Sequence, residues 1–262
     1  MSGLIEIEHN GVVASLWLNR PDKHNAFDEH LIAAITDGLR ALGADDAVRV
    51  VVLGGRGRSF SAGGDLDWMR RAAGYSYEQN LADATALATM LRTLAELPKP
   101  TIARVHGAAL GGGMGLACAC DIAVASEAAV FATSEVKFGL IPATIGPYVL
   151  RAIGARQAQR YFQTAERIDA TRALQIGLVH EVVGAAALDA KIDEFAGALR
   201  AGGPQAQNAA KRFIAEVADR PLDGALVAST ADAIARIRAT DEAREGLTAF
   251  LEKRGAAWVG TS

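Results

Sequence analysis

Residues 101–125 read TIARVHGAALGGGMGLACACDIAVA. Thr101 to Val105 is a short run with three β-branched residues, a glycine-bearing segment follows, residues 111–120 form an apolar run of helix length, and residues 121–125 return to a short apolar run. The order is strand, loop, helix, strand. Two strands joined through a helix run parallel, and the crossover between them is right-handed.

The same alternation extends toward the N-terminus. Residues 78–97 have helix length and stop at Pro98 and Pro100. Residues 48–53 are β-branched and apolar without alternation, the pattern of a strand buried on both faces, and Gly54-Gly55 reads as its end. Residues 27–42 place Leu31, Ile32, Ile35, Leu39 and Leu42 at helical spacing, with Gly43 as the expected C-cap. Residues 4–8 and 12–18 alternate around His9-Asn10-Gly11, which predicts a β-hairpin. The fold class is therefore α/β.

Toward the C-terminus the strand signals cease after Val183. Residues 185–201, 204–218, 221–238 and 241–253 all read as helices, with Pro204 and Pro221 at first-turn positions. The expected division is a core over residues 1–200 and a helical region over 201–262. Apolar faces on those last helices must cover the core or another subunit.

Composition narrows the partners. In 262 residues the formal net charge is −3, which leaves no basic surplus for nucleic acid or an anionic membrane. No apolar stretch reaches 18 residues and residues 1–10 lack a secretory pattern, so the expected location is the cytoplasm. Cys118 and Cys120 are two apart in an apolar stretch, a spacing that suits reduced core thiols rather than a disulfide. Five scattered histidines supply no metal-ligand spacing, so no metal site is expected.

Two glycine-bearing loops follow strands: Gly54 to Asp65, and His106 to Gly115. Dense glycine lets a ligand approach main-chain N–H groups, and the second loop opens a helix whose first-turn amides are free. Two such loops meeting at one carbonyl make an oxyanion hole; taken singly, each also reads as a tight turn with close helix packing. A dinucleotide fingerprint fails at Phe60, where the third glycine belongs. A phosphate loop lacks its Gly-Lys-Ser/Thr, and neither Ser59 nor Ser61 lies in a Gly-x-Ser-x-Gly elbow. The acid/base candidate is Glu135, beside Val136 and between Phe131 and Phe138, where an apolar setting would raise its proton affinity.

Taken together, Phe60 to Leu66, Gly107 to Gly113 and Cys120 to Ala125, with Asn19-Arg20-Pro21, Asn25-Ala26 and Gly177-Leu178-Val179, occur in the order of the crotonase (enoyl-CoA hydratase/isomerase) superfamily, which this chain resembles over about residues 4–185. The resemblance implies a crotonase-like spiral of ββα units and a helical C-terminal trimerisation region, giving a homotrimer or dimer of trimers. It also implies an acyl-CoA thioester substrate and no separate cofactor, coenzyme A being part of the substrate. It assigns the oxyanion donors to the N–H groups of Ala62 and Gly112 and the acid/base role to Glu135. Ala26, Ala62, Gly63, Gly64, Asp65, Leu66, Gly112 and Gly115 border the substrate, and Lys23 is either a phosphate contact or a solvated charge. Trp68 and Met69 line the acyl pocket or plug it, and Asp121 reads as a turn or cap residue.

The family's hydratases carry a first glutamate where this chain has Gly115. Three activities are compatible with that departure: hydration with Glu135 in both roles, Δ3-Δ2 enoyl-CoA isomerisation with one glutamate, and acyl-CoA binding without turnover. Residues 134–136, 141–149 and 160–167 resemble the branch that hydrates 3-methylglutaconyl-CoA. Lys137, Arg70 and Arg71 are candidate partners for the remote carboxylate of such a substrate.

Overall fold

The computed structural model describes residues 3–260. Strands β1 (Ile5–Asn10) and β2 (Val13–Leu18) form the expected hairpin, turning at Gly11 with φ 56°. Helix α1 (Glu29–Ala44) begins where the Asp28 side chain accepts the Leu31 N–H, and it buries Leu31, Ile32, Ile35, Leu39 and Leu42. At roughly 2 kcal/mol for each buried Leu or Ile, that stripe secures the helix. The helix runs through Gly43, which is not its cap; Lys99 Nζ donates to the carbonyls of Leu42 and Asp45 beyond it.

Strand β3 (Val50–Gly55) is buried throughout and includes Gly54 and Gly55, correcting the expectation that they end it. A Cβ on Gly54 would lie 2.3 Å from Trp17 Cζ3, so the glycine makes room for the indole on the adjacent strand. There follow α2 (Leu66–Ala72), α3 (Tyr77–Ala95), β4 (Thr101–Val105), β5 (Ala108–Leu110), α4 (Gly112–Ala119), β6 (Ile122–Ser126), β7 (Val130–Ala132) and α5 (Gly146–Thr164), which kinks at Gly154. The chain continues through β8 (Ile168–Asp169), α6 (Ala170–Gln175), β9 (Glu181–Val183), α7 (Leu188–Ala201), α8 (Pro204–Val217), α9 (Gly224–Arg238) and α10 (Asp241–Leu251).

The main sheet has the order β1-β2-β3-β4-β6-β9 and is parallel except for β1. Side chains of successive residues alternate across it. Val51, Leu53, Ala103 and Val105 join the large core with α1, α3 and α4, whereas Val50, Val52, Ile102 and Val124 face Leu188, Ile192 and Ala196 of α7. A second sheet has the order β5-β7-β8; β5 falls in the segment read from the sequence as a glycine-bearing loop, and the other two strands lie in segments given no element. Its strands are two or three residues long, too short to show a period.

Helices α8 to α10 bury only Leu226 and Ala249 among their described residues. Pro204 stands in the first turn of α8, but Pro221 precedes the Asp223 cap of α9 and so lies outside that helix. Two cations tie this region to the core. Arg49 donates to the carbonyls of Arg200, Gly202 and Trp258, and Lys211 Nζ pairs with Asp121 at 2.9 Å. Both cysteines are free, and burial pushes the Cys118 thiol up to about 12. No helix among the described residues is long and apolar enough to cross a membrane.

Candidate active site

The site is assembled around one buried side chain. Asn25 donates through Nδ2 to the carbonyls of Arg56 at 2.9 Å, Ser59 at 2.8 Å and Phe60 at 3.2 Å, and its Oδ1 accepts the Arg20 N–H at 2.8 Å. His24 and Asn25 take left-handed backbone angles, φ 52° and 54°, which turn this amide inward. The motif from Asn19 to Ala26 thus holds the first glycine-bearing loop from beneath. Ser61 then joins that loop to the second: its N–H donates to Ala108 O at 3.0 Å, and its carbonyl accepts the Leu110 N–H at 2.9 Å. Beyond this bridge Gly63, at φ 90°, lies against Gly111; a Cβ on Gly63 would be 3.1 Å from Leu110 O, and one on Gly111 would be 3.8 Å from Gly63 Cα.

The contact between the loops decides which amides are available. Ala62 N–H donates to His24 O at 3.0 Å, so its expected role as an oxyanion donor is overturned: the group is already spent on the turn. Two residues further on, Phe27 and Gly64 form a parallel bridge that uses the Gly63 carbonyl and the Asp65 N–H and leaves the Gly64 N–H without an acceptor among the described residues. Gly112 is the first residue of α4, where an amide has no partner within the helix, and the helix dipole adds positive potential. Gly64 and Gly112 directly follow the touching pair Gly63 and Gly111. They are the unengaged amides flanking the junction, so the donor that the resemblance assigns to Ala62 falls two residues further on, at Gly64.

Glu135 stands at the same junction. Its Oε1 is 3.5 Å from the position of a Cβ on Gly111, and its buried Oε2 has no hydrogen-bond partner among the described residues. The residue begins a short 3-10 turn, Glu135–Phe138, closed by Gly139 at φ 72°. Burial raises its pKa above the ordinary carboxylate range, and its own backbone N–H offsets only part of that effect. Phe131 is in the core as expected, whereas Phe138 is 60% exposed and does not enclose the carboxylate.

Gly115 is buried, and the space its side chain would take is filled. A Cβ there would lie 2.4 Å from Ile145 Cγ2 and 2.8 Å from Ile145 Cβ.

Several substrate-bordering residues prove to have structural work. Asp65 caps α2, accepting from Asp67 N and Trp68 N and pairing with Arg20 at 3.2 Å and Lys23 at 3.5 Å. Burial draws its pKa upward, but the two N–H groups and the two cations outweigh that and hold the carboxyl below its usual range. Ala26 is buried and its carbonyl accepts from Arg20 Nη1 at 2.8 Å. Lys23 is partly exposed beside Asp65 and Asp67, while Leu66 is exposed at the start of α2. Trp68 donates to Asp83 Oδ1 at 3.0 Å and, with Met69, packs beside Gly64. Asp121 accepts from Thr101 N and Oγ1 as well as Lys211, which makes it a cap and a tether. Arg70 is held by Asp67 and Arg71 by both oxygens of Glu29; Lys137 is exposed with no ion-pair partner among the described residues. Among those residues no cluster of three His, Cys, Asp or Glu is placed to hold a metal.

Two loops offering free amides beside a desolvated carboxylate, on a parallel sheet with a helical tail, define a class of enzyme site suited to charge developing on a carbonyl oxygen. A family model described as enoyl-CoA hydratase/isomerase matches residues 8–261. The chain is 34% identical over 257 residues to a crotonyl-CoA hydratase of Syntrophomonas wolfei, covering 97% of each chain. It is 34% identical over 254 residues to a short-chain-enoyl-CoA hydratase of Clostridium acetobutylicum, covering 95% of this chain and 94% of that one. A crystal structure of an enoyl-CoA hydratase from Shewanella pealeana superposes with TM-score 0.95 at 45% identity, over 97% of this chain and 96% of that one. The chain belongs to the enoyl-CoA hydratase/isomerase family, the crotonase superfamily that its motifs resemble.

Proposed function

We propose that this chain adds water to the double bond of a 2-enoyl-CoA thioester. The observation that carries this reading is the desolvated Glu135 carboxylate, whose buried Oε2 has no partner among the described residues, beside two free amides. The thioester oxygen sits between the N–H groups of Gly64 and Gly112, which stabilise it as it becomes an enolate. Glu135 takes a proton from water as the water oxygen bonds to Cβ and the double-bond electrons move onto the thioester oxygen. The same carboxyl then delivers that proton to Cα, restoring the carbonyl. Coenzyme A enters as part of the substrate, and Lys23, which pairs with Asp65 and Asp67, is the candidate for a phosphate contact; the steps call on no metal, nucleotide or flavin.

The acyl group we favour is branched and carboxylated, as in 3-methylglutaconyl-CoA. Lys137 supports this choice, being a cation on the Glu135 turn that no carboxylate of the described residues engages, unlike Arg70 and Arg71. Isomerisation of a 3-enoyl-CoA is the second reading, favoured by the Ile145 side chain where a further carboxylate would stand.

The test compares crotonyl-CoA, 3-methylglutaconyl-CoA and a 3-enoyl-CoA with wild type and Glu135→Gln. We expect water incorporation by wild type and a loss of about 100-fold or more in kcat for the variant. Double-bond migration alone supports isomerisation instead, binding without turnover supports a non-catalytic role, and an undiminished Glu135→Gln rate removes the assignment of Glu135.

A further inference from the structure

We infer that Phe27 is a positioning residue for the proposed oxyanion site: its main chain fixes the Gly64 amide, its ring fixes the Gly112 amide, and its size sets the span between them. The inference rests on the reading of those two N–H groups as donors to the thioester oxygen. Phe27 N–H donates to Gly63 O at 2.7 Å and Phe27 O accepts the Asp65 N–H at 2.8 Å, so one residue holds Gly64 on both sides. Phe27 directly precedes Asp28, which caps α1 and pairs with Arg20 at 2.9 Å, so its own main chain is anchored.

The ring reaches the other loop. A Cβ on Gly112 would lie 2.7 Å from Phe27 Cε2 and 2.8 Å from Cδ2, closer than van der Waals contact allows. Gly112 does not have a positive φ, so it is the ring, not backbone strain, that excludes a side chain there. Phe27 is 1% exposed and belongs to the large core, where close packing leaves the ring no volume to swing into. One residue on, a Cβ on Gly113 would be 2.6 Å from Ser61 O. The start of α4 thus sits between Phe27 and Ser61, and the ring is the part of that seat whose size a substitution changes. Oxyanion stabilisation needs donors fixed where the charge develops, and a displacement of about 1 Å costs on the order of 100-fold.

The experiment measures binding of two CoA esters to wild type, Phe27→Leu, Gly112→Ala and the double variant. Acetoacetyl-CoA ionises to an enolate whose charge reaches the oxygen the two amides would hold, whereas butyryl-CoA presents only a neutral carbonyl. Wild type should stabilise the enolate, so that its ultraviolet absorbance develops at lower pH on the protein than in free solution. Phe27→Leu should weaken enolate binding about tenfold or more, move that titration upward, and change butyryl-CoA affinity by less than about threefold. On crotonyl-CoA its kcat should fall with KM little changed. Gly112→Ala should show the same pattern, and adding Phe27→Leu to it should recover enolate affinity, because the smaller side chain vacates the volume the methyl takes. Equal weakening of both esters by Phe27→Leu, or losses in the double variant that sum those of the single ones, would each overturn the inference. If wild type holds the enolate no better than butyryl-CoA, the oxyanion reading itself fails and the inference with it. If wild type prefers the enolate and Phe27→Leu keeps that preference undiminished, the inference alone fails.

Discussion

At the scale of single residues, Glu135 couples the chemistry of the site to the stability of the fold. Burial raises its pKa, so the folded chain binds this proton more tightly than the unfolded chain. The stability from the protonated form is fully present below the ordinary carboxylate pKa and is lost as pH rises through the elevated folded value. Glu135→Gln should therefore melt higher than wild type at neutral pH, and the difference should shrink as the medium is acidified; calorimetry across pH checks this. Catalysis runs the other way, because the proton-accepting form exists only above the raised pKa. The kcat/KM profile should show an acidic limb displaced upward from the usual glutamate range and absent in the variant. The proposed role of Glu135 was legible only through the family motif, since a lone glutamate in a short turn has no distinguishing spacing. The engaged Ala62 amide and the free Gly64 amide were not legible at all, because which donor is spent depends on His24, 38 residues before Ala62 in sequence.

At the scale of elements, the long periodic segments were readable and the short ones were not. Helix α1 and strands β3, β4 and β6 follow from burial patterns several residues long, whereas β5, β7 and β8 exist only because neighbouring loops pair. The segment around Asn25 shows why such a loop keeps its shape. Its side chain satisfies three carbonyls and one amide, all fixed by tertiary contacts. Asn25→Ala should cost about 3 kcal/mol, since each buried group left unpaired costs about 1–3 kcal/mol. Denaturant unfolding measures the loss, and activity should fall with it as the Gly63–Gly111 contact loosens. Asn25→Asp, which keeps the shape but removes the donors, should recover little of the stability.

At the scale of the whole molecule, the exposed apolar residues of the last helices call for a partner. Leu247, Phe250 and Leu251 on α10 and Val227 and Ile234 on α9 lie largely exposed, while Arg49 and Lys211 anchor the region to the core. We expect the chain to assemble through residues 201–262 as a trimer or a dimer of trimers. Light scattering should give three or six times the chain mass of 27.4 kDa. Phe250→Asp with Leu251→Asp should reduce that mass toward the monomer by burying charge in the interface. A wild-type chain that remains monomeric at micromolar concentration would refute the assembly.

By itself the sequence determined the α/β class, the hairpin, the parallel strand units, the helical tail and the family, because hydrophobic periodicity and turn chemistry are local properties of the chain. Only the tertiary structure decided that Gly64 rather than Ala62 keeps its amide free, that Ile145 fills the place of a side chain at position 115, and that Lys137 is left without a carboxylate among the described residues while Arg70 and Arg71 are engaged. Those facts concern groups distant in sequence competing for the same hydrogen bonds and the same volume, and the outcome of such competition exists only once the chain has closed on itself.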